Sequence, residues 1–211
     1  MKVKNTFTSI SENLMSTFKN RGIPDAVLEQ FQVVGSNLFV RGLITSHGGN
    51  MSIRRGDRII ITRSGCMLGH IGERDLVEAG IDDSDTPETA SSEIAVHRAI
   101  YRHTPALAVV HAHPSYAIAL SIADDRIEPL DVEGSYYMPN VPIIGRGEKV
   151  YGGKMADDIA KALIDNRAAV VYAHGSFAAG RDLYEALHYT STLQESCRII
   201  AIVRQLNHKK H

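Results

Sequence analysis

The chain is organised around one short stretch, Val109-Val110-His111-Ala112-His113-Pro114. Its apolar, β-branched beginning is typical of a buried strand, in which successive side chains point to opposite faces. His111 and His113 are two residues apart, so both imidazoles project from the same face of that strand. Pro114 cannot donate a hydrogen bond to a strand ladder and therefore ends the strand beside them. The pattern fits two metal ligands and a hydrogen-bonded pair of core histidines equally well.

The composition is that of an ordinary globular protein. The chain has 211 residues, of which 44% are hydrophobic, and a formal net charge of −1. This length favours a single domain over residues 1–211, and the charge gives no indication of a nucleic-acid partner. The sequence contains no apolar run long enough to span a bilayer, and its N-terminus lacks an apolar signal-peptide core. We therefore expect a cytoplasmic protein that does not contact a membrane.

Hydrophobic spacing predicts that helices and strands alternate along the chain, which favours an α/β domain with a mixed sheet. Residues 1–22 are predicted to form an N-terminal helical extension, with its helix at 6–20. Further helices are predicted at 24–42, 91–103, 114–123, 151–166 and 182–206. Strands are predicted at 51–54, 58–62, 107–111, 127–132, 141–144, 168–173 and 176–179.

A third histidine, His174, follows a second β-branched run, Val170-Val171-Tyr172. Three imidazoles with an open fourth position are typical of a catalytic zinc site. Glu93 is predicted to lie in the first turn of a helix that Ser91 or Ser92 caps. It is the best carboxylate to act beside a metal, either as a general base or as a displaceable ligand.

Turns of small residues supply candidate contacts for a phosphate group. Glycines let backbone N–H groups point into a cleft, hydroxyls add donors, and a helix N-terminus adds positive potential. Each fragment taken alone is as typical of a plain turn or helix cap. The candidate phosphate-binding residues are Gly49, Asn50, Ser64, Gly65, Ser91 and Ser92.

The order of these motifs carries a family resemblance. Gly-Gly-Asn, Thr-x-Ser-Gly, Ser-Ser-Glu, His-x-His-Pro and a late His-Gly together resemble the class II aldolase and adducin family over about residues 30–205. The resemblance implies a three-layer α/β/α sandwich around a mixed, mainly antiparallel sheet, assembled as a homotetramer with sites at subunit interfaces. It also implies a Zn²⁺ site, with Co²⁺ or Mn²⁺ as alternatives, formed by His111, His113 and His174. Glu93 is then the acid/base, and it joins the metal when no substrate is bound.

The reaction that this resemblance implies is the reversible cleavage of a ketose 1-phosphate, similar to fuculose 1-phosphate, into dihydroxyacetone phosphate and an aldehyde. Family enzymes carry a tyrosine beyond His-x-His that acts as a second proton donor from the neighbouring subunit. The sequence leaves this donor open among Tyr136, Tyr137, Asp131 and Glu133.

Two further positions stand beside the motifs. Arg63 replaces a proline of the family pattern, and it either contacts the phosphate or is a solvated surface residue. His47 borders the glycine turn, which sets it apart from His97, His103 and His188. Those three histidines are expected to be structural or exposed.

Several other functions use the same scaffold. A phosphopentulose 4-epimerase carries an aspartate where Glu93 stands, whereas a sugar-phosphate dehydratase keeps the three histidines and is not separated by sequence. A decarboxylase is expected to need no phosphate cradle. An adducin-like interaction domain without enzymatic activity is expected to lack the metal ligands that this chain retains.

Overall fold

The computed structural model describes residues 22–82, 85–146 and 153–208. The helix expected at 6–20 therefore lies outside the described residues. Among the helices that are described, none combines the length and apolar character needed to cross a bilayer.

Within these ranges, eight strands form one sheet in the order β3-β2-β1-β4-β8-β7-β6-β5. Every described neighbouring pair is antiparallel except β6 and β7, which run parallel. This confirms the predicted mixed, mainly antiparallel sheet. The strands are β1 Asn50–Arg55, β2 Arg58–Thr62, β3 Leu76–Gly80, β4 Ala108–Ala112, β5 Arg126–Ile127, β6 Val141–Ile144, β7 Ala168–Val171 and β8 Gly175–Gly180.

Helices cover both faces of the sheet, which confirms the three-layer α/β/α architecture. The helices are α1 Asp25–Val40, α2 Ile94–His103, α3 Ser115–Ala123, α4 Val132–Tyr137, α5 Gly153–Asp165 and α6 Leu183–His208. Helices α2 and α5 pack together on one face, while α1, α3 and α6 cover the other.

Strand β4 contributes to both layers of the core because its side chains alternate between them. Val109 packs with the hydrophobic cluster on the α2 and α5 side, whereas Val110 packs with the cluster on the α1 and α6 side. His111 follows Val109 by two residues and therefore faces the α2 side.

Two local predictions were wrong, and one strand was missed. Helix α2 begins at Ile94 with Glu93 as its N-cap, so neither Ser91 nor Ser92 caps it. The strand expected at 127–132 is only the two-residue β5, Arg126–Ile127. It ends early because Asp131 caps α4 by accepting a hydrogen bond from the Gly134 N–H at 2.7 Å. Strand β3 was not predicted, since its sequence Leu-Val-Glu-Ala-Gly shows no regular alternation.

Candidate metal centre

His111 is held rigidly at the centre of the sheet. It lies in β4 opposite Phe177 of β8, its side chain is buried, and the two rings stack with centroids 4.3 Å apart. Its Nδ1 lies 3.0 Å from the carbonyl oxygen of Ser176. A carbonyl only accepts hydrogen bonds, so Nδ1 carries the proton and Nε2 is left with its lone pair.

His113 lies just beyond the end of β4, beside the glycine turn that precedes β1. Its backbone N–H donates to the Leu43 carbonyl at 2.7 Å, which fixes the chain as it leaves the sheet. Gly49 adopts a φ of +78°, and a Cβ there would lie 2.7 Å from the His111 carbonyl oxygen. Both the conformation and this close approach require glycine. The turn therefore closes one side of the histidine pair.

His174 lies in the tight turn that joins β7 to β8. The preceding residue, Ala173, has a φ of +54°, a left-handed conformation that costs a residue with a Cβ about 1–2 kcal/mol. The turn is held by hydrogen bonds from the Ala173 N–H to Ser121 Oγ at 3.0 Å and from the His174 N–H to the Val171 carbonyl at 3.1 Å. This strained turn carries His174 to the end of β4.

The fold thus brings the three predicted imidazoles together with Glu93. One potential ligand atom of each histidine lies within 4.8 Å of those of the other two. The Nε2 atoms of His111 and His113 are 3.0 Å apart. Each carboxylate oxygen of Glu93 contacts a different histidine. Oε2 lies 3.2 Å from His111 Nε2, and Oε1 lies 3.2 Å from His174 Nε2.

Burial sets the charge state of these groups. It lowers the pKa of His111 to about 3 and also lowers the pKa of His113, so both are neutral near pH 7. Burial alone would raise the pKa of Glu93. Hydrogen bonds from His174 and from Asn50 to the carboxylate outweigh burial and lower that pKa to about 2. The carboxylate of Glu93 is therefore ionised beside the neutral rings of His111 and His113.

The donor set fits a divalent cation. The lone pair of His111 Nε2 faces the Glu93 carboxylate, with 3.2 Å between Nε2 and Oε2. Facing acceptors repel one another unless a proton or a cation lies between them, and burial disfavours the extra proton. Imidazole nitrogens with a carboxylate oxygen are typical ligands of Zn²⁺ and of neighbouring transition metals.

One cleft joins this cluster to the predicted phosphate residues. Arg63 and His47, which the sequence left open, also line it. Tyr136, Tyr137, Asp131 and Glu133 are not among its lining residues within the described part of the chain. The cleft is lined by His47, Gly48, Gly49, Asn50, Arg63, Ser64, Gly65, Ser91, Ser92, Glu93, His111, His113 and His174.

Two residues have contacts that the sequence analysis missed. The side-chain amide of Asn50, a predicted phosphate contact, donates to Glu93 Oε2 at 2.6 Å. Its oxygen accepts from His97 Nε2 at 2.5 Å, and His97 is fully buried. The sequence did carry a signal for these buried contacts, because Asn50 and Ser52 are two polar residues on one face of a buried strand.

This arrangement agrees with comparisons to known proteins. The family model described as Class II Aldolase and Adducin N-terminal domain matches residues 29–201. The chain belongs to the class II aldolase and adducin family. Two residues of its three-histidine cluster, His111 and His113, therefore lie in the His-x-His-Pro motif on which the resemblance was based.

Relatives within the class II aldolase family carry more than one activity in their names. The L-fuculose phosphate aldolase of Methanocaldococcus jannaschii is 28% identical over 172 residues, which cover 81% of this chain and 93% of that protein. The 3-oxo-tetronate 4-phosphate decarboxylase of Escherichia coli K12 is 29% identical over 195 residues, which cover 86% of this chain and 89% of that protein. Among solved structures, the l-fuculose-1-phosphate aldolase of Thermus thermophilus matches with a TM-score of 0.82 and 38% identity, covering 86% of this chain and 96% of that one.

Proposed function

We propose that this class II aldolase family member is a divalent-metal-dependent carbon–carbon lyase. In this proposal it reversibly cleaves a ketose 1-phosphate, similar to fuculose 1-phosphate, into dihydroxyacetone phosphate and an aldehyde. The observation that carries the proposal is the meeting of three imidazoles with the carboxylate of Glu93 in one open cleft. The adducin-like alternative without activity fits less well, because a protein that only binds a partner has no need of this donor set.

The small-residue turns are proposed to hold the substrate phosphate. The N–H groups of Ser64 and Ser91 already donate to the carbonyls of Thr89 and Thr62. These two residues would therefore reach a phosphate through their hydroxyl groups. Gly65 and Ser92 line the same cleft and are proposed to complete the phosphate site. Its role is to supply binding energy remote from the reacting carbons, which orients the substrate.

His111, His113 and His174 are proposed to hold a Zn²⁺ ion, with Co²⁺ or Mn²⁺ as possible replacements. A bound ion would polarise the substrate carbonyl and stabilise the negative charge that develops as the C3–C4 bond breaks. The hydrogen bond from Nδ1 to Ser176 keeps the Nε2 lone pair of His111 directed into the cleft. The neutral state of the His111 and His113 rings leaves their lone pairs available.

Glu93 is proposed to move the proton at the reacting carbon. Its carboxylate is ionised and lies at the open side of the three rings, so it can accept a proton from carbon in the aldol direction. In the cleavage direction the C4 hydroxyl gives up its proton as the aldehyde forms, and Glu93 passes one proton to C3 of the enediolate, so no proton is gained or lost overall. In the absence of substrate it is proposed to be a further metal ligand.

A second candidate reaction is the decarboxylation of a phosphorylated 3-oxo acid. The named decarboxylase of Escherichia coli is as similar to this chain as the archaeal aldolase. Its substrate, by name, carries a phosphate, so the expectation that a decarboxylase needs no phosphate cradle was wrong. Both reactions break a carbon–carbon bond and leave negative charge beside a carbonyl, and they differ in the fragment that leaves.

The experiment that tests the proposal is a product screen with the metal content measured on the same sample. Ketose 1-phosphates of different stereochemistry are assayed for dihydroxyacetone phosphate, and 3-oxo-acid 4-phosphates for carbon dioxide. Loss of water from the same sugar phosphates is followed in parallel to detect a dehydratase. Release of dihydroxyacetone phosphate by metal-loaded protein supports the aldolase. Full cleavage activity after exhaustive chelation, or carbon dioxide or water as the main product, contradicts it.

Assembly into a homotetramer is a further part of this proposal. Helix α4 and the residue before its cap expose apolar side chains, with Leu130 61%, Val132 90% and Tyr136 76% accessible. Such a group is typical of an interaction surface. Light scattering coupled to size-exclusion chromatography measures the mass directly, and a monomer of 23.1 kDa contradicts this part.

A further inference from the structure

Behind Glu93 lies a row of buried polar side chains to which the proposed reaction assigns no role. Strand β1 contributes Asn50 and Ser52, which alternate on one face. Helix α2 contributes His97 and Tyr101, which are one turn apart and face the same strand. All four are nearly or completely buried. Buried polar groups are costly unless hydrogen-bonded, so this row calls for a physical explanation.

The four side chains form one continuous hydrogen-bonded chain that ends on Glu93. Tyr101 Oη lies 2.9 Å from the Ser52 carbonyl oxygen and 2.7 Å from Ser52 Oγ. Ser52 Oγ lies 2.6 Å from His97 Nδ1. The other ring nitrogen, Nε2, lies 2.5 Å from Asn50 Oδ1. Asn50 Nδ2 then donates to Glu93 Oε2 at 2.6 Å.

The direction of every bond in this chain follows from the Glu93 end. An ionised carboxylate only accepts hydrogen bonds, so Asn50 must turn its NH₂ group towards Glu93 and its oxygen towards His97. The Nε2 atom of His97 must then carry the proton, and Nδ1 must accept from the Ser52 hydroxyl. The opposite direction would place the Asn50 oxygen against the carboxylate.

The Tyr101 end does not impose this direction. When the Ser52 hydroxyl donates to His97, the single Tyr101 proton is shared between the Ser52 carbonyl oxygen and Ser52 Oγ. In the opposite direction the Ser52 hydroxyl would donate to Tyr101 Oη and Tyr101 to the carbonyl, so this end accommodates both directions and the Glu93 carboxylate decides between them. The ring of His97 is neutral, since complete burial lowers its pKa to about 4. A neutral imidazole donates from one nitrogen and accepts at the other, as this chain requires.

We propose that His97 is a positioning residue for the proton-transfer step, and that it acts through Asn50. His97 donates from Nε2 and holds the Asn50 amide in the one orientation that fixes Oε2 of Glu93. The other oxygen, Oε1, is thereby assigned to exchange the proton with substrate. Asn50 accordingly serves Glu93 with its side chain rather than acting mainly on the phosphate. The kinetic consequence rests on the proposed function, whereas the direction of the hydrogen bonds does not.

The first test compares two conservative substitutions at one position. In His97→Gln, the side-chain NH₂ group can reach the place of Nε2 and still donate to Asn50. In His97→Asn, the shorter amide reaches only the place of Nδ1 and leaves Asn50 without a donor. We expect His97→Asn to lower kcat by about 10- to 100-fold with KM unchanged, because a displaced catalytic group costs rate at this scale. His97→Gln should retain most of kcat.

The matched control is His103→Gln on the same helix. Among the described residues, His103 bonds only to the Ala99 carbonyl of its own helix, and it does not line the cleft. It should leave kcat and KM unchanged. Thermal unfolding and metal content are measured for all variants, so that a loss of folding or of metal is not mistaken for a loss of positioning. Equal kcat values in wild type, His97→Asn and His97→Gln overturn the proposal while leaving the proposed reaction intact.

The second test needs no activity. Long-range ¹H–¹⁵N spectra of histidine-labelled full-length protein report which ring nitrogen carries the proton, and His97→Gln identifies the signal by its disappearance. We expect His97 as the neutral tautomer protonated at Nε2. A proton on Nδ1 overturns the proposal, because Asn50 would then present its oxygen to Glu93. If no substrate is turned over, the proposed function fails and this spectrum still decides the direction of the chain.

Discussion

Replacing Gly175 by alanine is the sharpest structural test of the proposed metal centre. Gly175 begins β8, directly after His174, and packs against the end of β4. A Cβ at this position would lie 2.5 Å from the Ala112 carbonyl oxygen, 2.7 Å from His113 Cδ2 and 3.0 Å from His111 Cε1. Carbon atoms at optimal separation are about 3.5–4.0 Å apart. Two imidazoles or the strand pair must therefore move by roughly 0.5–1 Å.

The expected consequences separate stability from metal binding. Overpacking of this kind costs about 1–3 kcal/mol, which for a chain of this size lowers Tm by about 2–12 °C. Metal sites require ligand distances within about 0.2 Å of their ideal values. A displacement several times larger should weaken metal affinity by at least the 10- to 100-fold typical of altered supporting residues.

The assay is competition for Zn²⁺ against a chromophoric chelator, with calorimetry on the same preparations. The matched control is Gly72→Ala, where an added Cβ would meet only Asp75 Oδ2, at 3.7 Å. It should change neither affinity nor Tm. If Gly175→Ala lowers Tm but binds Zn²⁺ as tightly as wild type, the three imidazoles do not share one ion and the reasoning fails.

Three further outcomes are expected. Glu93→Gln should lower turnover by about 10²- to 10⁴-fold, because it removes the proton acceptor. The dissociation constant for inorganic phosphate, measured by calorimetric titration, should stay unchanged because no part of the phosphate site is altered. Unchanged turnover would place the base elsewhere. Ser92→Ala should raise KM by about 10- to 100-fold, the loss of one hydrogen bond to a charged group, with a smaller effect on kcat; an unchanged KM in steady-state assays would remove Ser92 from the phosphate site. Burial lowers the pKa of His97 to about 4 from its ordinary 6.5. Between these two pH values the ring is protonated in the unfolded chain and neutral in the folded chain. As the pH falls from 6.5 towards 4, the free energy of unfolding measured in urea should decrease by up to roughly 3 kcal/mol more for wild type than for His97→Gln. Equal decreases in the two proteins would contradict a buried neutral ring.

The parts of the fold that the sequence predicted are those in which local pattern and tertiary environment agree. The run before His111 is apolar on both faces because β4 is covered by helices on both sides. The hairpin of β1 and β2 was recognisable from Arg55-Gly56-Asp57, whose glycine takes a φ of +64° in the connecting turn. In both cases the short-range signal is caused by the same contacts that the finished structure makes.

The wrong predictions arise where a tertiary contact overrides the local preference. Ser91 and Ser92 are good N-cap residues, yet α2 begins only after Glu93, whose side chain makes no cap hydrogen bond. Its carboxylate instead contacts His111 and His174, which are supplied by distant parts of the chain. A helix-capping rule considers only neighbours in sequence and cannot include these partners.

The site itself follows from the antiparallel order of the three central strands. Strand β4 lies between β1 and β8 and runs against both, so the end of β4 meets the beginnings of the other two. Asn50 is thereby the register partner of His111, and Ser176 is the partner of Ala112. Motifs that are far apart in sequence therefore meet at one end of these three central strands.

Strand register is consequently part of what places Asn50 beside Glu93. Asn50 and Ser52 face α2, whereas Met51 between them packs in the hydrophobic cluster beneath α1. A slip of one residue would reverse these faces, burying Asn50 and Ser52 among apolar side chains and setting Met51 against His97. The same hydrogen bonds that orient Glu93 therefore also penalise the wrong pairing of β1. Alanine at both Asn50 and Ser52 would remove this penalty and would also remove the side-chain support of Glu93. These two roles explain why a polar row is retained in an otherwise apolar core.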